Sequence, residues 1–413
     1  MCFKVQKNKS NFVLHEGPKD PPNLLHDLKL LLKILKAFGL FPIYTQVTNT
    51  EIEAPSKYNN IYSIIIRSTM HFLTVFNLYS MYHQSSVQDF STERETDNIN
   101  QYIEIIICVT TYTGTIILCS KHSNDFLTIL KDILKVDSDI QETYRASVEN
   151  NCKFSQKSVF GIIAAQIFLT SLKFTGGGIT NWIQYIIIIF FAVQNSLCSM
   201  FMMLLAALLK VVSMRFEFVN MILNNYSYNM VGINARGMFE EDVAFAFRLH
   251  NKLLKIYKLL NEACSLMLAF FMGYAFYTIT TNTYNIFVEF TTYTDISWSF
   301  LLDSFMWFGL NTVLLTILAR NCGRATIKAN AASQILARVY GKNKDYQILI
   351  DKFLTKSIRQ EVEFTAYGFF VVDTSTLFKI FSAVTTYLVI LIQFKQLEET
   401  KLDDSMVAET VKR

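Results

Sequence analysis

Thr386-Tyr387-Leu388-Val389-Ile390-Leu391-Ile392-Gln393-Phe394 closes an apolar run that begins near Asp373. At roughly 20 residues the run is long enough to cross a bilayer as a helix. Its polar residues recur at a spacing: Ser375, Lys379, Ser382, Thr386 and Gln393 follow one another at steps of 4, 3, 4 and 7. Those steps draw a seam down one helical face. Lipid would not tolerate the seam. It lines water, or it packs against another helix through small and hydroxyl residues. Val389 and Ile390 lie between Thr386 and Gln393, and a ring of such side chains can close a pore by dewetting.

Outward from that segment the rest of the chain has the same character. Of 413 residues, 51% are hydrophobic, with 35 Phe and 20 Tyr, and 17% are charged; soluble domains carry about 25% charged residues. Five Pro and 14 Gly leave room for long unbroken helices. The mean hydropathy of +0.27 is modest, so membrane helices are expected to be joined by substantial polar helical segments. The first 20 residues are polar and lack the apolar core of a cleavable signal, so insertion is expected to begin with the first membrane helix. The seven Cys show no disulfide framework and no metal-ligand spacing. No Gly-rich phosphate loop, His-x-x-x-His pair or Gly-x-Ser-x-Gly occurs. The expectation is a protein that is no enzyme, has no cofactor or metal, and binds no nucleic acid.

Apolar stretches near 61–82, 100–119, 158–175, 183–209, 260–284, 298–319 and 373–394 each approach a spanning length. Gln166, Ser171 and Lys173 dilute the third. Thirty of the 38 Lys and Arg lie in segments 1–57, 121–157, 210–258 and 320–359, and the alternate loops are nearly empty of them. The positive-inside rule then puts the N-terminus in the cytosol and, after seven spans, the C-terminus outside. The sequons Asn8-Lys9-Ser10 and Asn225-Tyr226-Ser227 fall on the expected cytosolic side. A G-protein-coupled receptor has the opposite orientation, and the Asp-Arg-Tyr and Asn-Pro-x-x-Tyr patterns are absent. A transporter would carry inverted repeats and broken helices, which are not visible.

Residues 23–40 carry apolar residues at helical spacing with Lys29, Lys33 and Lys36, either for the inner membrane surface or for packing on a cytosolic domain. Segments 121–157, 210–258 and 324–365 read as further amphipathic helices that extend spans 4, 5 and 6 inward. A water-borne ligand would reach the outer halves of spans 1 to 6, where Glu104, Gln184, Tyr277, Asn282, Asp303 and Trp307 are candidate binding residues. Asp303, Trp307 and Asn311 share a face at i, i+4 and i+8. A carboxylate beside an indole suits a polyol. An acid within the membrane is costly and therefore a functional candidate, although it serves equally well as an interhelical ion pair.

The Thr386-Tyr387, five apolar residues, Gln393-Phe394 pattern resembles the signature of insect gustatory receptors, ligand-gated cation channels related to the odorant receptors. The match over Phe364–Phe394 is similar above all to the fructose-responding branch. The resemblance implies an all-α tetrameric channel of seven transmembrane helices in the plasma membrane of a sensory neuron, either a homotetramer or mixed with related subunits. A tastant such as fructose would open it to monovalent and divalent cations, for taste or internal nutrient sensing. Bitter or other tastants and a metabotropic mode are the alternatives. By resemblance Gln393 and Phe394 form the gate, with Ile390, Thr386 and Ser382 lining the pore. The subunit contact would lie in the cytosolic bundle, with Phe364–Val372 as a short helix before the last span. Lys379 would oppose cations if it faced the pore, unless it snorkels or pairs with Asp373. The expected organisation is a cytosolic segment 1–58, a ligand-binding bundle 59–320, a cytosolic anchor 321–372, a pore helix 373–394 and an extracellular tail 395–413.

Overall fold

The computed structural model describes residues 28–40, 57–85, 95–144, 153–175, 182–229, 238–292, 296–337, 351 and 362–411. Among them run α1 (Lys29–Ala37), α2 (Lys57–Ser85), α3 (Glu95–Lys121), α4 (Ser123–Tyr144), α5 (Lys153–Thr175), α6 (Trp182–Asn229), α7 (Met238–Thr292), α8 (Trp298–Ala337) and α9 (Thr374–Val411). A two-stranded hairpin, β1 (Thr365–Ala366) and β2 (Phe370–Val371), precedes α9. The Gly176-Gly177-Gly178 turn and most of 338–361 lie outside the described residues.

Helix length follows from the scarcity of breakers. α6 and α9 contain neither Gly nor Pro, and α7 contains only Gly273. At 1.5 Å per residue, α6 is about 72 Å long and α7 about 82 Å, more than twice the roughly 30 Å hydrocarbon core. Both must therefore extend beyond the membrane. α6, α7, α8 and α9 are long and apolar enough to cross one. Shorter apolar stretches, Ile64–Phe76, Ile106–Lys121 and Val159–Leu172, fall in α2, α3 and α5. These seven stretches coincide in position with the segments read from the sequence.

The Lys- and Arg-rich ends gather into one bundle. Arg215 of α6 is fully buried and forms a two-pronged bond with Asp137 of α4, Nε–Oδ1 2.9 Å and Nη2–Oδ2 2.7 Å. Asn220 donates to the Lys328 carbonyl (2.8 Å), His250 Nε2 meets the Ala329 carbonyl (3.1 Å), and the Tyr257 hydroxyl meets Thr326 Oγ1 (2.7 Å). These bonds join α6, α7 and α8 in their Lys- and Arg-rich segments. The apolar face of α1, with Leu28, Leu31, Leu32 and Leu35, is buried against α5 and α6, so that face serves packing. Lys33 stays exposed, and burial lowers the Lys36 ammonium to about 8. Arg67 of α2 donates to the Gly39 carbonyl (2.7 Å) and to Ser120 Oγ (2.6 Å), which clamps the α1 exit to the end of α3.

The expected short helix over Phe364–Val372 is a β-hairpin instead. Thr365 pairs with Val371 and Ala366 with Phe370. Tyr367 (φ 52°) and Gly368 (φ 74°) turn the chain through left-handed conformations that a right-handed helix cannot contain. Phe364 is fully buried with its ring 5.7 Å from that of Tyr257, and the Thr365 amide donates to Asn261 Oδ1 (3.0 Å). The aromatic and β-branched residues on either side of Gly368 favour strands, and packing on α7 holds the hairpin in place.

Candidate pore and ligand pocket

Asp373 starts α9 as its N-cap, accepting from the Thr376 amide (2.9 Å) and from Ser375 Oγ (2.7 Å). The carboxylate is thereby committed to the helix end, and the pairing expected between Lys379 and Asp373 is not made. Lys379 is exposed.

α9 packs on α7 and α8 through one stripe. Leu377, Val384 and Lys395 are buried in it, and Phe381, Leu388 and Leu391 are half-buried. At about 100° per residue, Ser382, Thr386 and Gln393 point within about 20° of the direction opposite Val384. All three are exposed. The polar seam is therefore turned away from its own subunit. The Thr386 hydroxyl donates back to the Ser382 carbonyl (3.1 Å), which leaves its outer lone pairs for water. Ile390 is exposed about 60° from the seam, and exposed Phe394 about 100° from Gln393. A ring of Gln393 around an axis thus places Phe394 at its flank. Only 17% of the apolar window of α9 is buried, against 78% for α6.

The expected ligand residues fall into two groups. On one side, α3, α6 and α7 meet. The Tyr274 hydroxyl donates to Asn195 Oδ1 (2.5 Å), and the Asn195 amide reaches Cys108 Sγ (3.6 Å). Half-buried Glu104 is within electrostatic reach of Tyr274 and of half-buried Tyr277. On the other side, Trp307 of α8 is buried with its ring 6.2 Å from Phe191 of α6, edge to face. Asp303 is half-buried one turn earlier in α8. Asn311 and Asn282 are buried, and each amide donates to the carbonyl four residues earlier, Trp307 (3.0 Å) and Thr278 (2.7 Å). The side chain of Gln184 lies outside the described residues.

Several buried polar groups were not singled out as binding residues: Gln194, which donates to Thr74 Oγ1 (3.0 Å), Asn195, Tyr274, Tyr112 and Gln166. Their sequence signal is a polar residue inside an apolar helix. Gln166 was visible that way, as a residue that dilutes the third span.

Residues 28–398, nearly the whole of this arrangement, match the sequence model of the 7tm chemosensory receptors. The chain belongs to that family. It is 46% identical to the gustatory and pheromone receptor 32a of Drosophila melanogaster, over 94% of this chain and 89% of the relative. It is 33% identical to the gustatory receptor 68a of the same organism, over 76% of this chain and 81% of the relative. Its fold is similar to that of the insect olfactory receptor OR5 from Machilis hrabei in complex with eugenol. The TM-score is 0.62 at 14% identity, and the match covers 90% of this chain and all of the other. This gustatory receptor relative is thus a multi-pass membrane chemosensory protein, and the family is not one of enzymes.

Proposed function

We infer that this receptor is itself a ligand-gated, non-selective cation channel of the plasma membrane. It would have seven spans, a cytosolic N-terminus, and four copies of α9 around a shared axis. The observation that carries the reading is the polar seam of α9. A spanning helix that turns Ser382, Thr386 and Gln393 away from its own subunit needs water, and further copies of itself, to satisfy them. Their neutral dipoles would pass hydrated cations with little selectivity, and the flanking Ile390 and Phe394 would close the ring by dewetting. The Lys- and Arg-rich inner bundle, with its interhelical bonds, supports the orientation and a rigid base for assembly.

For the ligand, the expectation of a sugar gives way here to a small, largely apolar molecule with one or two hydrogen-bonding groups. Asn282 and Asn311 donate within their own helices and Phe191 lies against Trp307, which leaves few free groups for a polyol. The relative at 46% identity is named for pheromone as well as taste reception, and eugenol, seen with OR5, is a small phenol. A ligand that binds the open state better than the closed one is sufficient for gating.

The test is whole-cell current from the chain expressed alone, during application of fructose and of eugenol. Inward current to eugenol and none to fructose is expected, with Trp307→Ala weakening the response at least tenfold, the scale of a buried aromatic contact. Single-channel steps in a nucleotide-free bilayer exclude the metabotropic reading. Current to fructose alone would return the ligand to the sugars, and absence of steps from reconstituted protein would sink the channel.

A further inference from the structure

Gln166 sits in the bundle-facing stripe of α5, with Val159, Ile162 and Leu169, all buried. Phe160, Ile167 and Phe168 cover the opposite, exposed face. The Gln166 side chain is 4% exposed, yet neither Nε2 nor Oε1 has a hydrogen-bond partner among the described residues. Most buried polar groups are paired, because an unpaired amide in apolar surroundings costs free energy on both its donor and its acceptor. A helix can carry such a residue at no benefit to its fold if a ligand completes it.

Depth indicates what lies beside it. Gln166 is nine residues in from the outer end of α5 at Thr175, Phe191 is nine in from Trp182 on α6, and Trp307 is nine in from Trp298 on α8. Each is therefore about 14 Å below the outer end of its helix. α5 packs against both α6 and α8, and Phe191 and Trp307 are in ring contact. The unpaired amide thus lies on the bundle-facing stripe of α5, as many residues in from its helix end as the buried aromatic pair is from theirs.

We propose that Gln166 is the polar anchor of the ligand pocket and that it selects molecules with an adjacent acceptor and donor on an otherwise apolar body: a carboxamide, a lactam or a protonated carboxylic acid. The amide Nε2 donates to the ligand carbonyl, Oε1 accepts from its N–H or O–H, and the apolar body lies beside Phe191 and Trp307. The inference rests on the pocket reading given above and adds the chemical class.

The probes are 3-phenylpropanamide, which carries both groups, and methyl 3-phenylpropanoate, which carries only acceptors. Thermal unfolding of the purified full-length protein is followed against each, for wild type and Gln166→Met, a substitution of similar length. The amide should reach half-maximal stabilisation of wild type at about a tenfold lower concentration than the ester, the worth of one further hydrogen bond in a buried site. In Gln166→Met that gap should close, while the ligand-free variant melts no lower than wild type, because an unpaired group has been removed. A lower melting point for the ligand-free variant would make Gln166 structural. Failure of the amide to stabilise wild type, equal midpoints for the two probes, or a gap that survives in the variant each overturns the proposal. Discrimination that depends on Gln166 but is accompanied by no evoked current would leave the anchor standing and remove the channel reading alone.

Discussion

In the Lys- and Arg-rich parts of α6, α7 and α8 several polar side chains reach across to other helices, whereas Thr385 and Thr386 midway along α9 fold back on their own. Arg215 holds Asp137, Asn220 the Lys328 carbonyl, and Tyr257 holds Thr326. In α9, Thr385 bonds the Phe381 carbonyl and Thr386 that of Ser382. Bonds between helices fix their relative position. Bonds within one helix satisfy the hydroxyl and leave the face free for a partner outside the subunit. The same residue types therefore build a rigid base in one region and an unpartnered, water-compatible face in the other.

That contrast breaks first, and most strongly, at Asp137. Asp137→Ala leaves the buried Arg215 guanidinium without its carboxylate, and should destabilise the protein by about 3–5 kcal/mol, read as lost surface expression and a lower thermal midpoint. Near-normal stability would mean that the Lys- and Arg-rich bundle is not held by its polar network. Phe364→Ala empties a fully buried site against Tyr257 and should cost about 3–5 kcal/mol. A smaller loss would show the hairpin to be weakly docked. Tyr387→Ala removes an edge contact with Phe276 at 6.2 Å between ring centres and should cost about 0.5–1.5 kcal/mol, which measures how firmly α9 is tied to α7. Gln393→Ala is expected to change thermal stability by less than about 0.5 kcal/mol while altering basal current or ion selectivity in patch recordings. Unchanged conduction at normal surface expression would remove Gln393 from the gate. Lys379→Gln should leave stability unaltered and raise cation conductance most at low salt, where an exposed charge is least screened.

The long helices were legible because runs such as α6 and α9 lack Gly and Pro, and the seam of α9 was legible because its period is that of a helix. The hairpin was not. Phe364–Val372 does carry the aromatic and β-branched residues of strands, but the resemblance implies a helix there, and the two short strands are held by the docking of Phe364 and Thr365 on α7. Pairing with Asp373 is one of two outlets for the Lys379 charge, but the amide of Thr376 in the first turn needs an acceptor and takes that carboxylate. Among the candidate ligand residues, Trp307 stands out in the sequence by its type and depth, and the structure places the ring of Phe191 beside it. The amides of Asn282 and Asn311 donate to carbonyls of their own helices, which only backbone geometry reveals.

By itself, the sequence determined a chain of long apolar helices with alternating basic segments and a polar seam on the last helix, because hydrophobic length, charge asymmetry and helical period are local properties. Only the tertiary structure decided which polar groups are taken. A buried Gln166 with both amide atoms open among the described residues, a buried Arg215 with its carboxylate in place, and a seam turned away from its own subunit are facts about neighbours on other helices, and residue spacing along one helix does not encode those.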